Sequence, residues 1–523
     1  MLKRLLFLVF ILSLSQRISA QNEFITLWKP NNSLQSPLTS PQFSSPPTEN
    51  QIWFPGIGEN YMISWEEVGY PQHNGNMPDV TSSAPILIDF GPSLNPNPAE
   101  ATYMLKVSNG NGIFRQIQFS DDTINTNPVF EIPTLKALGS ANKITEIVQW
   151  GNIQWTSMKS AFSQCGILDI TATDVPDLSK VKDATLMFYN AYSLKGNASI
   201  ANWDTSAIKK FKYMFGYSTP MSFQFADHFN PPIGSWDMSS AEDISYMFMK
   251  RKVFNQNLNS WNTSNVVTMA YTFAECTLFN QPLDNWNTSK VKSMAYMFHF
   301  IPNFNQPLNT WDTSNVTDMG HMFHIVSSFN QPLDSWDVSK VTEMNTMFSE
   351  ATSFNNTLKD WNLNSLISAF AMLKNTGMDC GNYSTTLHGW GNNPNTPNGI
   401  NLGSVAPSFY STHVEVVEAR DILLNTKNWS FTGDSPVECP RLGTLERSLH
   451  HQPSVYPNPV DDIIQLKNLS NAKSYLIFDA GSRLIQKGEI SGTWINVQSL
   501  AKGNYMLRII TKDAPYLFKF IKQ

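Results

Sequence analysis

Tryptophan returns every 25 residues through the middle of this chain, at Trp236, Trp261, Trp286, Trp311, Trp336 and Trp361. Each one opens the same order of apolar and polar positions. In Trp311-Asp312-Thr313-Ser314-Asn315-Val316-Thr317-Asp318-Met319, followed by Met322-Phe323, the apolar residues Val316, Met319, Met322 and Phe323 fall at i, i+3, i+6 and i+7, the spacing of one helix face. Asp312 and Ser314 ahead of them are N-cap types. Phe329, Gln331 and Leu333 then alternate as a short strand would. Proline at Pro282, Pro307 and Pro332 donates no ladder hydrogen bond and keeps that strand short. Asparagine recurs just before it, at Asn255, Asn280, Asn305, Asn330 and Asn355, placed to satisfy turn backbone groups from repeat to repeat. A fixed period of this length means that each unit is one supersecondary piece stacking on its neighbours to bury a shared core. The pattern predicts a solenoid with a short parallel strand and a helix in each repeat.

The phrase extends backward in weaker form. Trp203 opens a unit ending Tyr213-Met214-Phe215, with an insertion before Trp236; Pro176 takes the tryptophan place in the next; Trp150 begins a degenerate unit ending Ala161-Phe162. That gives about nine units over 146–390. Residues 21–145 carry no repeat, and alternations such as Tyr61-Met62-Ile63-Ser64-Trp65 and Tyr103-Met104-Leu105-Lys106-Val107 between Pro, Gly and Asn clusters predict a small β domain. The Pro/Ser-rich stretch 33–47 reads as a loop. Past Trp361 the pattern decays; 391–434, with a helix expected over 414–424, reads as the cap, and 435–453 as a linker. Seven or so short strands with Gly and Pro turns fill 454–523, a small β-sandwich. The fold class expected is α+β and multidomain.

Composition narrows the partners. Charged residues make up 15% of the 523 and the net charge is −6, so no basic face offers itself to nucleic acid. Lys3 and Arg4 precede an apolar run over 5–14, and Ile18-Ser19-Ala20 supplies small residues before Gln21. This is the order of a secretory signal occupying 1–20, and no later segment is apolar for the length of a membrane span. Of the four cysteines, Cys165 and Cys276 share one repeat position four repeats apart, about 20 Å at ~4.8 Å per stacked strand, beyond disulfide reach. They read as buried small residues. Cys380 and Cys439 flank the end of the array and could pair.

Two family resemblances rest on these residues. The phrase Phe-Asn-Gln-Pro-Leu-x-x-Trp-Asp-x-Ser-x-Val-x-x-Met-x-x-Met-Phe, with the degenerate Ala161-Phe162-x-x-Cys165-x-x-Leu168, resembles the 25–26-residue repeat of the BspA-like, DUF285 group. It implies a leucine-rich-repeat-like solenoid on exported bacterial proteins, often adhesive, and brings no catalytic residues. At the C-terminus, Val455-Tyr456-Pro457-Asn458-Pro459-Val460, then Phe478-Asp479, Gly481, Leu484-Ile485 and Gly488, then Leu500, Gly503, Tyr505, Leu507 and Ile509, resemble the type A C-terminal sorting domain of type IX secretion. That resemblance implies a partner in the type IX machinery through 454–523 and delivery to the surface or medium of a Gram-negative bacterium.

Candidate chemistry is sparse. His299 and His324 occupy one place in adjacent repeats, with His321 one turn before His324, close enough to share a metal ion. Met249, Ala274 and Ser349 hold that place elsewhere, so solvated histidines are the simpler reading. Carboxylates after tryptophan (Asp204, Asp237, Asp312, Asp337) interchange with Asn262, Asn287 and Asn362, which fits an acceptor role better than acid–base catalysis or calcium. No nucleophile elbow, phosphate loop, zinc-spaced Cys/His set or cofactor motif stands out. The function expected is non-covalent recognition of an extracellular protein or glycan. Its candidate contacts lie between the Phe and Trp anchors, at Asp284, Asn285, Asn309, Thr310, Asp334 and Ser335. A spacer or surface-layer role is the alternative, favoured by the near-identity of the repeats over 261–350, and an enzyme in 21–145 a remote one.

Overall fold

The computed structural model describes residues 22–32, 47–124, 133–218 and 227–439, and beyond them 454–456, 459–467, 469, 472–479, 483–490, 492–511 and 515–523. The expected signal and most of the two loop stretches at 33–47 and 435–453 lie outside these. The chain forms two compact units, 1–438 and 439–523.

The expected leucine-rich-repeat-like solenoid, with a short parallel strand and a helix per repeat, is not what the structure contains. Among the described residues the α-helices are two, α1 (Cys380–Asn392) and α2 (Val414–Asp421), both after the repeats. Each repeat is instead a succession of three-residue turns. Val316 N–H bonds Thr313 O at 2.9 Å, Met322 N–H bonds Met319 O at 3.2 Å, and Val326 N–H bonds Phe323 O at 3.2 Å. The N–H groups in between donate to the next repeat: Met319 to Glu343 O, His321 to Asn345 O and Phe323 to Met347 O, at 2.8–2.9 Å. The apolar spacing is therefore a period of three, Val316/Met319/Met322 and Phe323/Val326/Phe329, which over two turns mimics 3.6. The strand expected at Phe329–Leu333 is likewise absent. Pairing falls on one residue per repeat, in a parallel ladder of single bridges running Asp183–Lys210–Asp243–Thr268–Ser293–Asp318–Glu343–Ser368.

Two left-handed residues per repeat make the turns possible and forbid a helix. His321 has φ 58° and Ile325 φ 60°. A β-branched residue is strained there, while Asn190 and Asn375 hold the equivalent place with φ 61° and 53°. Ile325→Asn is expected to stabilise the protein by about 1 kcal/mol, read as a rise in the urea midpoint; a fall would show that the Ile325 side chain contributes more than its backbone strain costs.

Side chains stack in register inside. Phe248, Phe273, Phe298, Phe323 and Phe348 lie 5.5–6.1 Å apart, ring to ring. Trp261, Trp286, Trp311 and Trp336 lie 6.1–6.5 Å apart. Each indole N–H donates to a carbonyl of the preceding repeat, as Trp286 does to Leu258 O at 2.9 Å. The asparagine column works as expected: Asn280, Asn305, Asn330 and Asn355 each donate their N–H to the Oδ1 of the preceding asparagine at 2.8–3.1 Å. From Trp203 to Trp336 the residue after tryptophan accepts from the N–H two residues on, Asp312 from Ser314 (3.0 Å) and Asn287 from Ser289 (3.1 Å) alike. Charge is not required, although the turn closed is not a helix cap.

Strands cover the first repeats. The alternation at Tyr61–Trp65 and Tyr103–Val107 lies in β3 (Gly56–Glu67) and β6 (Tyr103–Ser108). They belong to one sheet with β1 (Phe24–Trp28), β4 (Tyr70–Ser82), β7 (Ile113–Ile117), β10 (Ile144–Gln149) and β11 (Asp169–Ile170). Phe24 of β1 stacks on Trp150 at 5.8 Å and edges Trp155 at 5.2 Å, closing the core at that end. At the other end Asp379 receives the asparagine ladder through its N–H and caps α1 through its carboxylate. Trp390 of α1 keeps the indole bond, to Leu358 O at 2.9 Å. β12 (Asn401–Ser411), parallel to β13 (Ser430–Val437), then accepts from the last repeat at Leu402 and Ala406. Cys165 and Cys276 are free and buried; Cys380 and Cys439 are disulfide-bonded. In the second unit, sheets of three and four strands share one core of Val460, Ile464, Ile477, Leu507, Ile509 and Phe520.

Candidate functional site

The single-bridge ladder sets three parallel columns of side chains on one face of the repeats. The bridge residues form the first: Asp243, Thr268, Ser293, Asp318 and Glu343. Two residues on, Ser245, Ala270, Ala295 and Gly320 form a column of small side chains. The next residue is held left-handed, at φ 58–60° in Tyr246, Tyr271, Tyr296 and His321. Their rings stack at 4.1–4.3 Å with interplanar angles of 9–11°. Tyr213 extends the column at 4.2 Å. Between the bridge column and the tyrosines runs a trough of about 380 Å³, floored by Ala270 and Ala295 and reaching from Lys212 to Asp318.

Burial governs its electrostatics. Desolvation, with the neighbouring Tyr246 and Tyr296 phenols, pushes the Tyr271 hydroxyl well above its ordinary range. Burial also raises Asp318, against a bond from Gly320 N–H at 3.0 Å. Glu343 is raised by burial too, against the Asn345 N–H. The wall thus holds half-desolvated carboxyls beside neutral phenols. The sequence reading missed these columns, although tyrosine ten residues after Trp236, Trp261 and Trp286 was there to be counted.

The histidines predicted to lie together do. His299 and His324 bring their Nδ1 atoms to 3.2 Å, and His321 stacks on Tyr296 and bonds Thr346 Oγ1. Among the described residues no group of three His, Cys, Asp or Glu side chains is arranged to hold a metal ion. Burial, then each other's charge, pulls His299 down to about 3; burial and His324 pull His321 down to about 4; and burial lowers His324 against the opposing pull of Glu350. The unfolded chain takes up protons below about pH 6.5, while the folded chain resists until about 3–4. The stability these groups contribute is therefore complete above pH 6.5 and is lost as pH falls through that window. The melting temperature is expected to drop by several degrees between pH 7 and 4, and less so in His299→Ala, the residue Ala274 has one repeat earlier. Parallel pH profiles for the two proteins would refute this assignment.

The edge residues predicted for partner contact fall in another column. Asn285, Thr310, Asp334 and Ser335 are exposed, Asp284 and Asn309 half-buried. They bond across repeats: Asp284 Oδ1 accepts from Asn259 Nδ2 at 2.9 Å, Thr310 Oγ1 donates to Asp284 O at 2.8 Å, and Ser335 N–H donates to Asn309 Oδ1 at 3.2 Å. No helix among the described residues is long and apolar enough to cross a membrane.

A stack of turn-built repeats followed by a separate small β unit defines a repeat protein of two units. Residues 156–270, 217–310 and 271–386 match the family model described as "Mycoplasma protein of unknown function, DUF285". Residues 454–523 match the one described as "Secretion system C-terminal sorting domain". The chain carries DUF285 repeats over residues 156–386 and a type IX secretion sorting tail over 454–523, the tail of a secreted or cell-surface protein. No curated protein matches it.

Proposed function

We propose that the exported protein recognises an extracellular protein or glycan through its repeat surface, as an adhesin does, and is not an enzyme. The observation that carries this reading is regularity. Four successive repeats offer small polar pairs at the same interval, Asn259-Ser260, Asp284-Asn285, Asn309-Thr310 and Asp334-Ser335, held by inter-repeat hydrogen bonds such as Thr310 to Asp284. Side chains already ordered lose little freedom when a partner arrives. A sorting tail that sends the chain to the surface or medium puts such a partner within reach.

The test is the full chain on arrays of glycans and extracellular-matrix proteins, beside a variant with Asp284, Asn285, Asn309, Thr310, Asp334 and Ser335 all alanine. Selective binding that the variant loses supports recognition at the repeat edge. A folded chain that binds nothing favours the spacer reading instead, to which the near-identical repeats over 261–350 would suit it.

A further inference from the structure

We infer that the trough beside the tyrosine column is a binding site for a neutral, linear chain of pyranose sugars lying along the stack of repeats. The inference deepens the recognition reading above and rests on it.

Spacing is the first argument. Each repeat adds one oxygen-bearing wall residue and one tyrosine, at the interval of paired strands, about 4.8 Å. A polymer can make the same contact in successive repeats only if its monomers advance by nearly that interval. An extended peptide advances about 3.3 Å per residue and falls out of step at once. A pyranose ring in an extended β-1,4-linked chain advances by close to one repeat, so successive sugars keep step with successive repeats and turn alternate ring edges to each wall.

Chemistry is the second. Asp243, Thr268, Ser293 and Asp318 on one wall and the tyrosine edges on the other are acceptors and donors for sugar hydroxyls. The alanine floor suits the C–H face of a ring. Hydroxyl bonds to a partly desolvated carboxylate are stronger than neutral ones. The volume, about 380 Å³, is that of a ligand site.

Charge and rigidity complete the case. Asp243 and Asp318 in the wall outnumber the single cation Lys212 at one end, so the trough repels phosphodiester chains and uronate sugars, leaving neutral ones. The tyrosines cannot swing aside, because each ring is stacked on both neighbours from Tyr246 to Tyr296. The rigid wall favours a stiff, regular polymer over an adaptable one.

Calorimetric titration of the full chain at pH 7 with cellohexaose, mannohexaose and xylohexaose, beside polygalacturonate, tests the inference. At least one neutral hexasaccharide is expected to bind, more tightly than its disaccharide. Ala270→Leu/Ala295→Leu, which fills the floor, is expected to weaken that affinity at least about tenfold, equivalent to ~1.4 kcal/mol. Thr268→Ala/Ser293→Ala, which removes wall hydroxyls without adding bulk, is expected to weaken it in the same direction if the leucine variant does not fold. Equal binding by the folded variants, a preference for polygalacturonate, or no neutral sugar bound by a folded chain would overturn it. If the arrays yield another ligand whose binding the trough variants leave intact, the trough inference fails and the recognition reading stands. A folded chain that binds nothing on either surface fails both.

Discussion

Arg251→Ala is expected to destabilise the protein by about 3–5 kcal/mol, the cost of leaving one member of a buried ion pair alone. Arg251 occupies the core place after the repeat phenylalanine that Cys276, Ile301, Val326 and Ala351 fill elsewhere, and its side chain is wholly buried. Its guanidinium donates to Phe215 O at 2.7 Å, to Ala191 O at 3.0 Å and to Asp227 Oδ1 at 3.2 Å, and lies 4.8 Å from the centre of the Phe229 ring. Asp227 in turn accepts from Val253 N–H at 3.3 Å. Removing the arginine leaves the Asp227 carboxylate buried without its cation, Phe215 O without its donor, and Ala191 O with only the Leu194 N–H. Arg251→Met/Asp227→Asn is expected to recover much of the loss, since it removes both charges and leaves an amide oxygen to accept from the Val253 and Phe229 N–H groups. Urea unfolding followed by circular dichroism measures both; a single variant no less stable than the parent would mean that the pair contributes nothing.

Trp286→Ala is expected to cost a similar ~3–5 kcal/mol. The ring is 3% exposed and sits 6.1 Å from Trp261 and 6.4 Å from Trp311. Its loss opens a void across three repeats and leaves Leu258 O with only the Trp261 N–H. Because stacked repeats touch only their neighbours, the break also separates the stack into two stretches that support each other less. Urea unfolding of the variant should therefore broaden or divide, not merely shift. Trp286→Phe keeps part of the packing without the hydrogen bond and should fall between; a sharp, unshifted transition in Trp286→Ala would refute the packing argument.

How these repeats fold was partly readable from their residues. The 25-residue period, the inward Trp, Met and Phe positions and the asparagine column all follow from spacing alone, because stacking places equivalent side chains against one another. The helix was misread for a specific reason. Val316, Met319 and Met322 fit a 3.0 period and, with Phe323, a 3.6 one over so short a run, and only the left-handed backbone at His321 and Ile325 separates them. Left-handed positions filled by Tyr, His, Ile and Glu carry no glycine signal. The pairing residue was equally hidden, since Asp, Ser, Lys and Glu share it and only Thr268 among them has β propensity. The trough stayed out of view because its chemistry is split among three columns, each unremarkable in one repeat. Arg251 could be seen only as a charge in an apolar column.

The asparagine ladder has one more consequence. Every bond in it spans 25 residues, from one asparagine to the next, until Asp379 ends it. Excising any 25 consecutive residues between Trp261 and Trp361 would join two chemically equivalent positions, and the first and last layers would meet the same neighbours as before. Length is thus a dial with fixed clicks. The molecule can grow or shorten by whole layers without inventing a contact, and the reach of its tyrosine face changes by one ring each time.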